Sequence, residues 1–150
     1  LFAGRRDEVH PEIYDKCYRF CEENNLMGNV IFMGKRDDIP EILNSLDLFI
    51  LSSNTDTFGI AAVEAMFSKV PCMLSDIPAL KEISDEGKYA KLFIKGDKKD
   101  LAEKICGFIN GEYDSEKLKD EAYHWAIENF SIRAHIENLK SIYKKVIEEK

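Results

Sequence analysis

Apolar positions in this chain fall into short runs closed by glycine and longer stretches with helical spacing, and the two kinds alternate. Leu1, Phe2 and Ala3, stopped by Gly4, read as the end of a strand followed by a polar loop. Over residues 11–24, apolar side chains recur at Ile13, Cys17, Phe20 and Cys21, a helical period that Asn25 to Gly28 close. Residues 29–34 read as a buried strand ending in glycine. Pro40 at a helix start, with Ile39, Ile42, Leu43 and Leu46 on one face, predicts a short second helix. Residues 48–51 form another apolar strand, residues 52–57 a polar loop, residues 59–68 a helix that is apolar nearly all round, and residues 70–74 a further strand. A loop around Pro78 and Glu82 leads to a last short strand over 91–94. From Lys98 onward the pattern is helical, with one helix over 114–129 and another opening at Ser131, a good N-cap.

Short apolar runs separated by helices are the pattern of a parallel sheet covered on both faces, so a doubly wound α/β domain with C-terminal helices is expected. The 150 residues, 45% of them apolar, suit one compact domain over 1–150. A formal charge of -7 argues against a nucleic-acid surface, which needs a concentrated basic face. No stretch reaches the roughly 20 apolar residues of a membrane span and none reads as a signal peptide, so a soluble, cytoplasmic chain is expected, any membrane role being peripheral. Cys17, Cys21, Cys72 and Cys106 are read as buried thiols, although Cys17 and Cys21 share a helix face. His10, His124 and His135 are isolated and take solvated or core-edge roles.

Ligands of open parallel sheets bind at the carboxyl ends of the strands, so the loops after the first three strands carry the chemistry. They are Gly4-Arg5-Arg6-Asp7, Gly34-Lys35-Arg36-Asp37-Asp38, and the run from Ser52 to Gly59. The last enters a helix whose first-turn N–H groups and positive dipole end suit an anion such as a diphosphate. Gly59 lets a ligand approach the backbone, and Asp56 offers a carboxylate to hydroxyl groups; an Asp in an Asn-Thr-Asp-Thr loop is also the ordinary choice for a turn. Glu64 is the lone charge between Phe58 and Phe67, and a carboxylate in a buried helix needs a partner. Vicinal ribose hydroxyls would serve, and so would Lys69, Lys81 or a backbone amide.

These segments resemble, in order, the C-terminal domain of the GT-B retaining glycosyltransferases of the large group-1 (family 4) type. The matching stretches are Leu1 to Gly4, Val30 to Gly34, Leu48 to Ser52, Asp56 to Glu64 with Ala65-Met66, Pro71 to Asp76, Glu82 after Pro78, and Phe130-Ser131. The resemblance implies a Rossmann-like fold and a nucleoside-diphosphate sugar as donor, with no cofactor and no essential metal. An N-terminal domain outside this chain would bring a glycan or lipid-linked acceptor, and the full-length protein would sit peripherally at the inner face of a membrane. It also implies roles by position. Asp56 stands where a Glu contacts the donor sugar, and Glu64, eight positions on, where a second Glu binds the ribose. Thr57, Phe58, Gly59 and Ile60 match the stretch whose amides approach sugar and diphosphate, Gly34 and Lys35 the loop flanking the base, and Gly4 and Arg5 the first of the donor-side loops.

Two departures from the family pattern stand out. Asp56-Thr57 replaces Glu-Gly, shortening the carboxylate and stiffening the turn. The family's first strand, central in the sheet, and its diphosphate-neutralising Arg and Lys have no counterpart here, so Arg5, Arg6, Lys35 and Arg36 are the substitutes to weigh against plain solvated charges. No catalytic residue is assigned, and a fragment of this extent is expected to be inactive alone. The rival expectation is a non-catalytic nucleotide-binding or protein-interaction module of the same fold. A second is an epimerase of like architecture, for which no hydrolytic or elimination residues are found.

Overall fold

The computed structural model describes residues 1–4 and 11–148. They divide into two compact units, Leu1–Ile39 and Pro40–Lys150. Arg5, Arg6, Asp7 and His10 lie outside the described residues.

The first unit joins strand β1 (Phe2–Ala3), helix α1 (Pro11–Glu23) and strand β2 (Phe32–Gly34). β1 and β2 are parallel, with Phe2 opposite Phe32 and Ala3 opposite Gly34. Phe32 is the hub: its ring lies 5.3 Å from Phe2, 5.3 Å from Tyr14 and 5.6 Å from Tyr18. The helix face therefore differs from the one expected. Tyr14 and Tyr18 are half-buried and Cys21 is buried, whereas Ile13, Cys17 and Phe20 are exposed. Aromatic rings at i and i+4 cover more apolar area than the aliphatic set one position earlier, and they gain ring-edge contacts besides. Asn25, in the left-handed conformation at φ 55, ends the helix as expected.

The second unit contains α2 (Ile39–Asn44, whose first residue closes the first unit), β3 (Phe49–Leu51), α3 (Ile60–Phe67), β4 (Cys72–Ser75), α4 (Pro78–Ile83), β5 (Lys91–Phe93), α5 (Lys98–Ile109), α6 (Ser115–Phe130) and α7 (Ile132–Glu148). β3, β4 and β5 form a parallel sheet with β4 in the middle, Leu51 opposite Leu74 and Ser75 opposite Phe93. β4 is buried along its whole length. Met66, Met73, Leu74 and Leu80 are fully enclosed, each side chain contributing about 1.5–3 kcal/mol by burial. α3 rests on β3, β4 and α6. Ala62 and Ala65 on α3, with Ala122 and Ala126 on α6, are nearly inaccessible, small residues that let the two helices close up. A salt bridge from Lys69 to Asp120, 2.8 Å, ties the end of α3 to α6, and the Lys69 ammonium lies over the Tyr123 ring.

Several expectations are corrected here. The segment around Pro78 and Glu82 is a helix: Pro78 opens α4 at its first turn and the Ser84 hydroxyl, donating to the Leu80 carbonyl at 2.7 Å, closes it. Six residues are too few to display a period. α3 is not buried all round, since Ile60, Ala61 and Glu64 are exposed. The strands are parallel throughout, as expected, with β1 paired to β2 and β3, β4 and β5 paired in order. Cys21 and Cys72 are buried thiols, whereas Cys17 and Cys106 are exposed; burial pushes the Cys72 thiol up to about 12. Asp97 and Asp114 cap α5 and α6, and the Ser131 hydroxyl accepts from the Ala134 amide at 3.1 Å, the cap read from sequence. Among the described residues no helix is long and apolar enough to cross a membrane.

Candidate functional site

The β3–α3 loop leaves the carboxyl end of a parallel strand and feeds a helix start, the position that α/β sheets use for ligands. Its shape is held at both ends. At the entry, the buried Ser75 hydroxyl at the end of β4 donates to the Ser53 carbonyl at 2.7 Å. At the exit, Asp56 Oδ1 accepts the amides of Phe58 at 3.0 Å and Gly59 at 2.7 Å. Asp56 is thus a turn residue in this structure. Two of the amides expected to approach a ligand are occupied by its carboxylate, while Oδ2 has no partner among the described residues. Thr57 is exposed beside it.

The helix start is still open. The Gly59 carbonyl accepts from Ala62 and Val63, but no acceptor among the described residues meets the amides of Ile60 and Ala61. Those two donors sit at the positive end of α3. Glu64 follows Ile60 by four residues and so shares its face, with Glu64 exposed and without a hydrogen bond or ion pair among the described residues. Lys69 is engaged with Asp120 instead. The burial argument for a partner of Glu64 therefore falls. What remains is an unengaged carboxylate one turn from two free amides, a donor pair and an acceptor that together match a phosphate and a hydroxyl.

Gly59 has a packing role that the sequence reading did not include. At φ 89 it adopts a conformation that favours glycine, and a Cβ there would stand 2.7 Å from Leu80 Cδ2 and 2.9 Å from Ile83 Cδ1. The space beside its Cα is filled by α4. Glycine is needed for packing at this position.

The remaining predicted residues belong to the first unit. Parallel pairing brings Gly4 and Gly34 together, the Gly4 amide donating to the Gly34 carbonyl at 2.9 Å, and Gly34 takes φ 64 where β2 turns into its loop. Lys35 is exposed and 3.8 Å from Asp37. Arg36 forms a two-pronged pair with Asp38 at 2.7 and 2.5 Å, which raises its guanidinium pKa and holds the Asp38 carboxyl below its usual range, chiefly through the hydrogen bonds. Each cation of this loop is matched by a carboxylate, which weakens the expectation that they supply free positive charge. Arg5 lies outside the described residues. Among the described residues no three His, Cys, Asp or Glu side chains cluster as metal ligands. A solvent-open concavity along α7, between Glu137 and Glu148, holds none of the site residues.

Sequence reasoning assigned no role to Ser75, although a hydroxyl ending an otherwise apolar strand signals a specific bond. It also matched Phe130 only as part of a motif, whereas its ring stands edge-on to Phe58 at 5.8 Å.

Residues 4–125 match the family model for glycosyl transferases group 1. The chain belongs to that family. N-acetyl-alpha-D-glucosaminyl L-malate synthase of Bacillus anthracis is 27% identical over 136 residues, covering 87% of this chain and 36% of the relative. The capsular polysaccharide biosynthesis glycosyltransferase CapM of Staphylococcus aureus is 25% identical over 142 residues, 95% of this chain and 37% of the relative. The crystal structure of HepE from Anabaena, in complex with UDP, superposes with a TM-score of 0.87 at 21% identity, covering 95% of this chain and 40% of that one. HepE thus shares the fold, and this chain spans about two fifths of the length of the relatives it matches. The alternation of strand and helix, and the Rossmann-like GT-B half implied by the family resemblance, are what these likenesses support.

Proposed function

We propose that this chain is the donor-binding half of a retaining glycosyltransferase, holding a nucleoside-diphosphate sugar at the carboxyl end of β3. The observation that carries the reading is the start of α3, where the Ile60 and Ala61 amides lack acceptors and the exposed Glu64 carboxylate follows on the same face. In this reading the diphosphate takes the two amides and the positive helix end, and Glu64 accepts hydrogen bonds from the ribose. Asp56 keeps the loop with Oδ1 and meets a sugar hydroxyl with Oδ2. That the structurally similar HepE is in complex with UDP supports a nucleotide as ligand.

The rest of the polypeptide brings a glycan or lipid-linked acceptor, in line with the polysaccharide named for CapM, and works in the cytoplasm or at the inner face of the membrane. Catalysis then consists of positioning the donor and stabilising the leaving diphosphate as the sugar passes through an oxocarbenium-like state. No metal is needed for this scheme, the two amides at the positive end of α3 meeting the phosphate charge. Hexosyl transfer needs the whole protein; the half alone binds and does not turn over.

A second reading, a nucleotide-binding module without catalysis, is favoured by one observation: Asp56 Oδ1 occupies the two amides nearest the donor sugar. A thermal-shift panel of UDP, GDP, ADP and their sugars tests both. Stabilisation by nucleoside diphosphates, lost in Glu64→Gln, supports the donor site. Equal shifts in the two proteins would return Glu64 to a solvated surface role.

A further inference from the structure

The exit of the β3–α3 loop is enclosed by a ring of contacts that closes on itself. Phe58 meets Phe130 edge-on at 5.8 Å, and Phe130 meets Trp125 edge-on at 6.4 Å. The Trp125 indole N–H donates to the Ile83 carbonyl at 2.8 Å, and Ile83, with Leu80, fills the space beside Gly59, the residue after Phe58. Tyr89 stacks on the far side of Trp125 at 4.7 Å and pins its ring. Phe58 and Gly59 are therefore fixed from two sides by one indole, through a side-chain path and through a backbone path. The Ile60 amide comes next in the chain.

We propose that Trp125 and Phe130 are positioning residues for the donor loop: they hold Phe58 and Gly59 so that the amides of Ile60 and Ala61 keep one direction. This rests on the reading of α3 as the donor site. Phe58 is 45% exposed, too open to hold itself by burial, so its orientation depends on the Phe130 edge. The same ring of contacts makes Trp125, the single tryptophan of the chain, an internal reporter of the loop.

The test is a titration of UDP into the 150-residue chain, followed by calorimetry and by tryptophan emission. The wild type should bind, with an emission change that has the calorimetric midpoint. Phe130→Leu, with the fold kept by circular dichroism, should weaken binding about three- to tenfold, the range of one aromatic pair. Phe130→Tyr should restore it, a rescue that a general loss of stability would not give. Trp125→Phe keeps a ring but loses the N–H and should also weaken binding, which guards against a misfolded leucine variant. Wild-type affinity in both Phe130→Leu and Trp125→Phe overturns the positioning role while leaving the donor site intact. No binding of UDP, nor of GDP or ADP in the same titration, by the wild type overturns the donor reading, and the positioning role with it.

Discussion

Replacing Gly59 by alanine isolates the physical reason for a glycine in this loop. The new Cβ must enter a space where Leu80 Cδ2 stands at 2.7 Å and Ile83 Cδ1 at 2.9 Å, both closer than carbon atoms sit. Neither side chain has slack, since Leu80 is 0% and Ile83 2% exposed. Overpacking of this kind costs about 1–3 kcal/mol. The left-handed backbone at φ 89 adds about 1–2 kcal/mol for a residue with a Cβ. The sum, about 2–5 kcal/mol, is a large part of the roughly 5–15 kcal/mol that holds a domain folded. Gly96→Ala is the matched control: Gly96 lies in the same unit at φ 77 with no atom within 4 Å, so only the backbone cost applies. Urea unfolding followed by Trp125 emission should give Gly59→Ala a loss larger than that of Gly96→Ala by about 1–3 kcal/mol. Removing the obstruction with Leu80→Ala should make Gly59→Ala less costly than in the wild-type background. Equal losses for the two glycine variants would refute the packing role and return Gly59 to ligand approach.

Three further outcomes are expected. Asp56→Ala, losing the acceptor for two amides, should cost about 1–2 kcal/mol in urea unfolding, whereas Asp56→Asn keeps an oxygen there and should lie close to wild type; similar losses in both would mean that the charge holds the loop. Asp120 is held below its usual carboxyl range, first by the hydrogen bond from Lys69, so the stability it adds is complete above pH of about 4 and fades as pH falls below that; in Lys69→Met the acid limb of a stability profile should be shallower, and an unchanged limb would contradict the pairing. Nucleotide affinity should be the same with and without EDTA, and a loss on chelation would overturn a metal-free donor site.

The elements legible in the sequence were those with a clear period or a clear punctuation. Glycine at 4, 34 and 59 and serine at 131 marked ends that the structure keeps. The face of α1 was misread because tyrosines count as polar in a periodicity argument, yet Tyr14 and Tyr18 carry the contact with Phe32. α4 was missed because six residues opened by proline look like a turn. At the site, the surroundings of two residues differ from those read in the sequence. Glu64 stood among apolar neighbours and looked buried, but a helix resting on a sheet and on α6 still leaves one side open, and Glu64 lies there with Ile60. Gly59 looked like a ligand contact because nothing local reveals that Leu80 and Ile83, more than twenty residues on, fill its side. Tertiary neighbours of this kind are not written in the spacing of one loop.

The central claim is that the start of α3 receives a nucleoside diphosphate. The most direct measurement is a proton–nitrogen correlation spectrum of the labelled chain as UDP is added. The account predicts saturable shifts of the Ile60 and Ala61 amides, the two first-turn donors without acceptors, with smaller changes at Phe58 and Gly59, whose amides Asp56 already holds. Shifts centred on other residues, or none at saturating nucleotide, would contradict it.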